Sequence, residues 1–268
     1  MTAEVAIANR NTRDRSIRRV VSDAIVMTKR NVLKYPRIPT LLVFSTIQPI
    51  MFVLLFTYVF GGAIQVQAVN YVDFLLPGIF VQAAIFGSTQ TGVGLAEDMK
   101  KGLIERYRSL PMSRSAVLIG RTTTDGLRNL FVVWLMTVVG YLVGFRFAGS
   151  LIQSGTAIVI AVLFGYSFSW ISAWIGMTVN DVETAQVAGF VWIFPLTFAS
   201  SAFVPVASMP GWLQGFTKAN PVTVTVDTIR ALVLDTPVTP HIWYSLAWIT
   251  GIVVVFVPLA VRAYRRAV

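Results

Sequence analysis

The chain has 268 residues, 55% of them hydrophobic and only 13% charged, with a mean hydropathy of +0.69. Soluble domains average about 45–50% apolar and about 25% charged, so a soluble globular fold is excluded. The absence of cysteine and the single histidine, His241, exclude disulfides, thiolate nucleophiles, Cys-ligated zinc and a histidine-cluster metal site.

Six stretches carry no Asp, Glu, Lys or Arg: 38–72, 74–96, 129–145, 147–180, 184–217 and 236–261. A membrane-spanning helix needs about 20 mostly apolar residues. The pattern therefore predicts an all-α polytopic membrane protein with six transmembrane helices, at about 40–60, 74–96, 127–145, 151–179, 187–206 and 243–261. Residues 1–39 form a cytoplasmic N-terminal segment, 40–261 the six-span transmembrane domain and 262–268 a basic cytoplasmic tail. With no apolar core before about residue 40, a cleavable signal peptide is not expected.

Orientation follows from the basic residues. Nine lie in 1–39, seven in 97–128 and three in the tail, leaving Arg146, Lys218 and Arg230 between the other spans. Six spans place nineteen of the 22 on one side, and the positive-inside bias makes that side, with both termini, cytoplasmic. The net charge of +10 is thus a topology signal, and nucleic acid is not expected as a partner.

In 17–28, Ile17, Val20, Val21, Ala24 and Ile25 recur at helical spacing opposite Arg18, Arg19, Ser22 and Asp23. This predicts an amphipathic helix at the cytoplasmic lipid interface. Pro36 and Pro39 then break the chain before the first span. That span carries Gln48 and Pro49, and the proline removes a backbone hydrogen bond and is expected to bend the helix. In the second span, 87–92 mimics the opening of a phosphate-binding loop, but Val93 and Gly94 stand where Lys and Ser or Thr are needed. Ser88, Thr89, Gln90, Thr91, Gly92 and Gly94 read better as small-residue helix packing, with a cavity-lining role as the alternative. Candidate pathway-lining residues are Gln48, Gln90, Thr91, Trp170 and Trp174.

Between the second and third spans, Leu103, Ile104, Tyr107 and Leu110 are interleaved with Glu97, Asp98, Lys100, Lys101, Glu105, Arg106 and Arg108. A solvated loop has no need of these apolar residues, so the segment reads as a docking element for another protein. As a helix it places Leu103, Tyr107 and Leu110 on one face, ringed by Glu105, Arg106 and Arg108. Asp125 and Arg128, at i and i+3, are placed to pair at the inner end of the third span. Gly140 and Gly144 form a G-x-x-x-G pair further along it. The segment 207–241 contains Met209-Pro210-Gly211-Trp212 and Asn220-Pro221, then Val222, Val226, Ile229 and Val233 at helical spacing. Trp212, Phe216, Trp243 and Tyr244 suit an interfacial aromatic belt.

The run from Glu105, Arg106, Tyr107 and Arg108 through Leu110 and Pro111 to Arg121 resembles the signature loop of ABC-2-type ABC exporter permeases, the daunorubicin/doxorubicin-resistance type in particular. Asn220-Pro221 followed by Asp227, Ala231 and Leu232 resembles that family's outer segment before the last span. The resemblance implies a non-catalytic permease subunit in a bacterial cell membrane. Such a subunit pairs with a second permease copy or homologue and with a separate ABC ATP-binding subunit. It implies that Leu103, Ile104, Glu105, Arg106, Tyr107, Arg108 and Leu110 belong to a coupling helix seated on the ATPase, with Asp181 and Glu183 as a second contact. It further implies short re-entrant outer helices, an amphiphilic substrate (drug, lipid or glycoconjugate), and no cofactor in this chain, ATP and Mg being held by the partner. The competing reading is an ion-coupled secondary transporter, which needs a central intramembrane charge relay that the sequence does not offer. A membrane enzyme would need an acid/base or metal constellation, and none is visible in the sequence.

Overall fold

A computed structural model of the chain describes residues 17–37, 39–61, 69–108, 113–179 and 181–266. Every regular element among them is helical: α1 (Ile17–Val32), α2 (Lys34–Arg37), α3 (Pro39–Leu55, continuing as a π-helical turn, Phe56–Phe60), α4 (Tyr71–Lys100), α5 (Leu103–Arg108), α6 (Arg114–Val143), α7 (Leu151–Thr178), α8 (Val182–Phe198), α9 (Gly211–Ala219), α10 (Pro221–Val233) and α11 (His241–Arg266). Helices α4, α6, α7 and α11 are long and apolar enough to cross a membrane, while α3 and α8 are shorter apolar helices.

At 30 residues, α4 is about 45 Å long, and it is the central helix, buried on most sides. It meets α7 along small residues. A methyl group at Gly92 would overlap the Ser172 carbonyl, and one at Gly176 would overlap the backbone of Gly92. Ser88, Thr89, Thr91 and Gly92 are accordingly buried in helix packing, whereas Gln90 is exposed. Without a hydrophobic drive between helices in lipid, such close backbone approach is what holds them together. Phe80, Phe164 and Phe168 fill the core beside this seam.

Helix α4 runs beyond its apolar window to Lys100, because Glu97 and Lys100 are good helix formers and Lys101, at the C-terminal cap, pairs with Glu97 one turn back; α6 already begins at Arg114. Helix α8 stops at Phe198, short of the expected 206, where Pro195 and a turn through Ser200–Phe203 redirect the chain. The Gly140/Gly144 pair divides its work. Gly140 packs on Leu76, and Gly144 takes a φ of 110° as the left-handed cap of α6, donating to the carbonyls of Gly140 and Tyr141.

The face of α1 differs from the expected one. Ala24, Met27 and Asn31 point into the protein, while Val21, Ile25 and Val26 are exposed. Gly120 of α6 lets the two helices close, since any side chain there would strike Met27. Helix α1 is thus clamped to α6 and offers a second apolar stripe outward.

Candidate translocation groove and the α5 contact

A cavity of about 700 Å³ lies between α3, α4 and α6, within the range of small-molecule sites. Its α4 wall is two adjoining helical stripes, one running through Gln82, Phe86, Gln90, Val93 and Glu97 and the other through Ala83, Gly87, Gly94 and Asp98, and Lys101, with Leu103 of α5, borders its mouth. From Gln82 to Asp98 the groove follows α4 for about 24 Å. The mouth is charged, and the deep end is formed by Phe52, Phe86, Val132 and Phe190. Phe86 and Phe190 lie 5.7 Å apart between ring centres.

Midway along the groove sits a buried ion pair. Arg128 and Asp125 approach to 3.3 Å, with side chains 5% and 3% exposed, as their i, i+3 spacing predicts. Such a pair needs further hydrogen bonds to offset desolvation. The Thr91 hydroxyl donates to Asp125, and Arg128 donates to the Gly87 carbonyl and to Asn129. Asn129 in turn donates to the Ala84 carbonyl at 3.2 Å. Tyr35 of α2 lies beside this pair; burial raises its pKa, against the lowering pull of Arg128.

The five candidate pathway residues separate. Gln48 and Gln90 line the groove. Thr91 is turned to Asp125, Trp170 is buried in an inner apolar cluster, and Trp174 packs against Phe256 of α11 at 5.8 Å. Gln82 and Tyr35, which sequence reasoning missed, also line the groove. Gln82 lies two turns before Gln90 on the same face, a spacing that the sequence does contain.

The short helix α5 follows Gly102, whose φ of 65° turns the chain out of α4. Ile104 and Tyr107 are 3% and 7% exposed. They pack into an inner cluster with Met27, Leu95, Val117, Leu118, Trp170 and Tyr264, and Arg30 of α1 covers the Tyr107 ring at 4.9 Å. An outward docking face made of Leu103, Tyr107 and Leu110 is therefore not what this helix presents: Tyr107 is spent on the protein's own core. Leu103 is half-buried and Arg106 exposed. Leu110, together with the side chains of Glu105 and Arg108, lies outside the described residues.

Asp181 caps α8, accepting from the Thr184 backbone N–H at 2.7 Å and from its hydroxyl at 2.6 Å. These bonds lower its pKa. Glu183, in the first turn, is exposed.

On the opposite side, Asn220 joins two helices. Its amide donates to the Leu196 and Ala199 carbonyls at the end of α8 and accepts from Val222 N–H at the start of α10. Arg230 of α10 donates to the Phe74 carbonyl at 3.1 Å, the Ser201 carbonyl at 2.9 Å and Asp227 at 2.7 Å. Its guanidinium stacks 3.7 Å over the Phe74 ring. One side chain thus ties α4, the 199–205 turn and α10 together.

Four helices long and apolar enough to cross a membrane, packed beside a groove with a charged mouth, define a multi-pass membrane protein. Residues 23–234 match the ABC-2 type transporter family model, and the chain belongs to that family. It is 35% identical over 246 residues to the daunorubicin resistance ABC transporter permease protein DrrB1 of Streptomyces coeruleorubidus, covering 92% of this chain and 87% of the relative. It is 30% identical over 250 residues to the probable doxorubicin resistance ABC transporter permease protein DrrC of Mycobacterium tuberculosis, covering 92% and 90%. The chain is a non-catalytic permease of the ABC-2 type.

Proposed function

We propose that this chain is the six-span permease subunit of an ATP-driven exporter, with both termini in the cytoplasm of a bacterial cell. It works with a second permease copy or homologue and with a separate subunit that binds and hydrolyses ATP with Mg. The cargo is an amphiphilic molecule, and the anthracyclines named for its relatives are the first to test. The reading is carried by the groove and its placement: Leu103 belongs both to α5 and to the groove mouth, so a subunit moving α5 acts where cargo enters.

In this reading α5 is coupled through its anchor rather than through an apolar docking face. Arg106, Asp181 and Glu183, with Glu105, Arg108 and Leu110, meet the ATPase, and Ile104 and Tyr107 carry the displacement inward. Free energy from hydrolysis then biases an equilibrium between inward- and outward-open states. Inverted vesicles holding the permease and its ATP-binding subunit are expected to accumulate daunorubicin only with MgATP. Accumulation driven by an ion gradient and abolished by an ionophore, with ATP irrelevant, would instead establish the secondary transporter.

A further inference from the structure

The deep end of the groove holds a polar donor that the protein leaves unused. Gln82 is 3% exposed, it lines the cavity, and its Nε2 has no hydrogen-bond partner among the described residues. Native interiors leave few buried polar groups unsatisfied, and each calls for an explanation. Phe52, Phe86, Phe190 and Val132 line the same cavity, with Gln48 and Asn129 among its polar residues. Of its charged residues, Glu97 pairs with Lys101 and Asp125 with Arg128, and Arg121 donates to the Gln90 carbonyl. The cavity therefore offers three aromatic rings beside the unused Gln82 donor.

We propose that this deep end is a ligand site, built within one chain, for an uncharged ring system bearing a hydrogen-bond acceptor oxygen. A ketone, quinone or ether oxygen accepts from Gln82 Nε2, and the ring lies against phenylalanine faces, in the offset or edge-on geometry that aromatic pairs prefer. A cavity of about 700 Å³ accommodates several fused rings. The inference deepens the permease reading by naming what the apolar part of a cargo must carry. Cargo lacking such an oxygen leaves a desolvated donor idle and is selected against, as polar sites reject analogues that lack the matching group.

The test uses the purified full-length permease in lipid nanodiscs, without ATP or an ATP-binding subunit, and benzophenone as a photo-crosslinking probe. The expected result is saturable labelling that maps to α4 around Gln82 and Phe86. Fluorenone is expected to displace it about five- to tenfold better than fluorene, which has the same rings without the carbonyl. In Gln82→Leu that preference is lost; comparing the ratio between the two proteins cancels differences in lipid partitioning. Val132→Trp, which fills the deep end, removes the saturable labelling. Labelling that does not saturate, that maps outside the groove, or that survives Val132→Trp would overturn the proposal, as would a fluorenone preference unchanged in Gln82→Leu. The wild-type map decides even where a variant fails to insert. Labelling in the groove without ATP-driven transport would sink the exporter reading and leave this site standing.

Discussion

Replacing Tyr107 separates a role in packing from a role in docking. The side chain is 7% exposed and sits among Ile104, Val117 and Trp170, under the guanidinium of Arg30. Truncating a buried aromatic to alanine costs about 3–5 kcal/mol, and losing the cation–π contact adds about 0.5–1 kcal/mol. The hydroxyl is different, because it is buried without a hydrogen-bond partner among the described residues. Tyr107→Phe therefore removes an unpaired polar group and is expected to be neutral or to stabilise by about 1 kcal/mol. Unfolding of the purified permease, followed by tryptophan fluorescence with no ATPase present, measures both. The expected order of stability is Phe at or above wild type, with Ala far below. An Ala variant as stable as wild type that still fails to bind the ATPase subunit would put Tyr107 on the outer surface and refute the argument. A Phe variant as damaged as Ala would show that the hydroxyl has a partner.

Three further outcomes follow from the geometry. Gly92→Ala forces a methyl into the Ser172 carbonyl, so overpacking is expected to cost about 1–3 kcal/mol; a thermal midpoint equal to wild type contradicts the seam. Arg230→Met removes the donor to Asp227 and to the carbonyls of Phe74 and Ser201, while Asp227 keeps the Ser201 hydroxyl; a loss of about 1–3 kcal/mol is expected, read in the same unfolding assay and refuted by a change within experimental error. Asp181 has a lowered pKa, so its cap contributes above the unfolded-state value near 4 and is lost as the pH falls through the folded-state value. The gap in melting temperature between wild type and Asp181→Ala, present at pH 7, is expected to close below about pH 4, and a gap that persists at pH 2 counts against the cap.

The helices of the bundle were legible because lipid makes each of them declare itself as a long uncharged run. The same is true of the Asp125–Arg128 pair, which helical spacing alone brings together. What stayed hidden is the direction in which short segments face. In α1 and α5 both faces carry apolar residues, so periodicity marks a helix without saying which stripe meets protein. The contact at Gly120 decides for α1, and the inner cluster decides for α5; both depend on residues about 90 or more positions away or on another helix altogether. Trp170 and Trp174 illustrate the same limit, since an aromatic in a span serves a core and a pathway equally well until the neighbours are known. Asn220 and Asp227 stand out in the sequence, and Arg230 pairs with Asp227 at i, i+3, but the bonds that Asn220 and Arg230 make to distant backbone carbonyls carry no sequence signature.

The two apolar clusters suggest where the bundle yields. The inner cluster draws on α1, α4, α5, α6, α7 and α11, and none of its buried members comes from α3 or α8. Those two helices join the outer cluster instead, through Val53 and Ile193. A close-packed interior transmits displacement as a unit, so a push on α5 is expected to carry the inner block together, with α3 and α8 pivoting about their outer halves. Phe52 and Phe190, which line the deep end, ride on the two pivoting helices, and Val132 sits on α6, which the inner cluster holds through Val117 and Leu118 although Val132 itself packs in the outer cluster. Relative motion of the two therefore changes the width of the groove. Because the chain has no native cysteine, the idea can be tested with Phe52→Cys and Val132→Cys joined by a short bis-maleimide. Tethering α3 to α6 is expected to abolish ATP-driven transport, whereas tethering α1 to α6 through Ala24→Cys and Ile119→Cys leaves it intact, since those helices move as one. Transport that survives the first tether and fails with the second would reverse the assignment of block and moving wall.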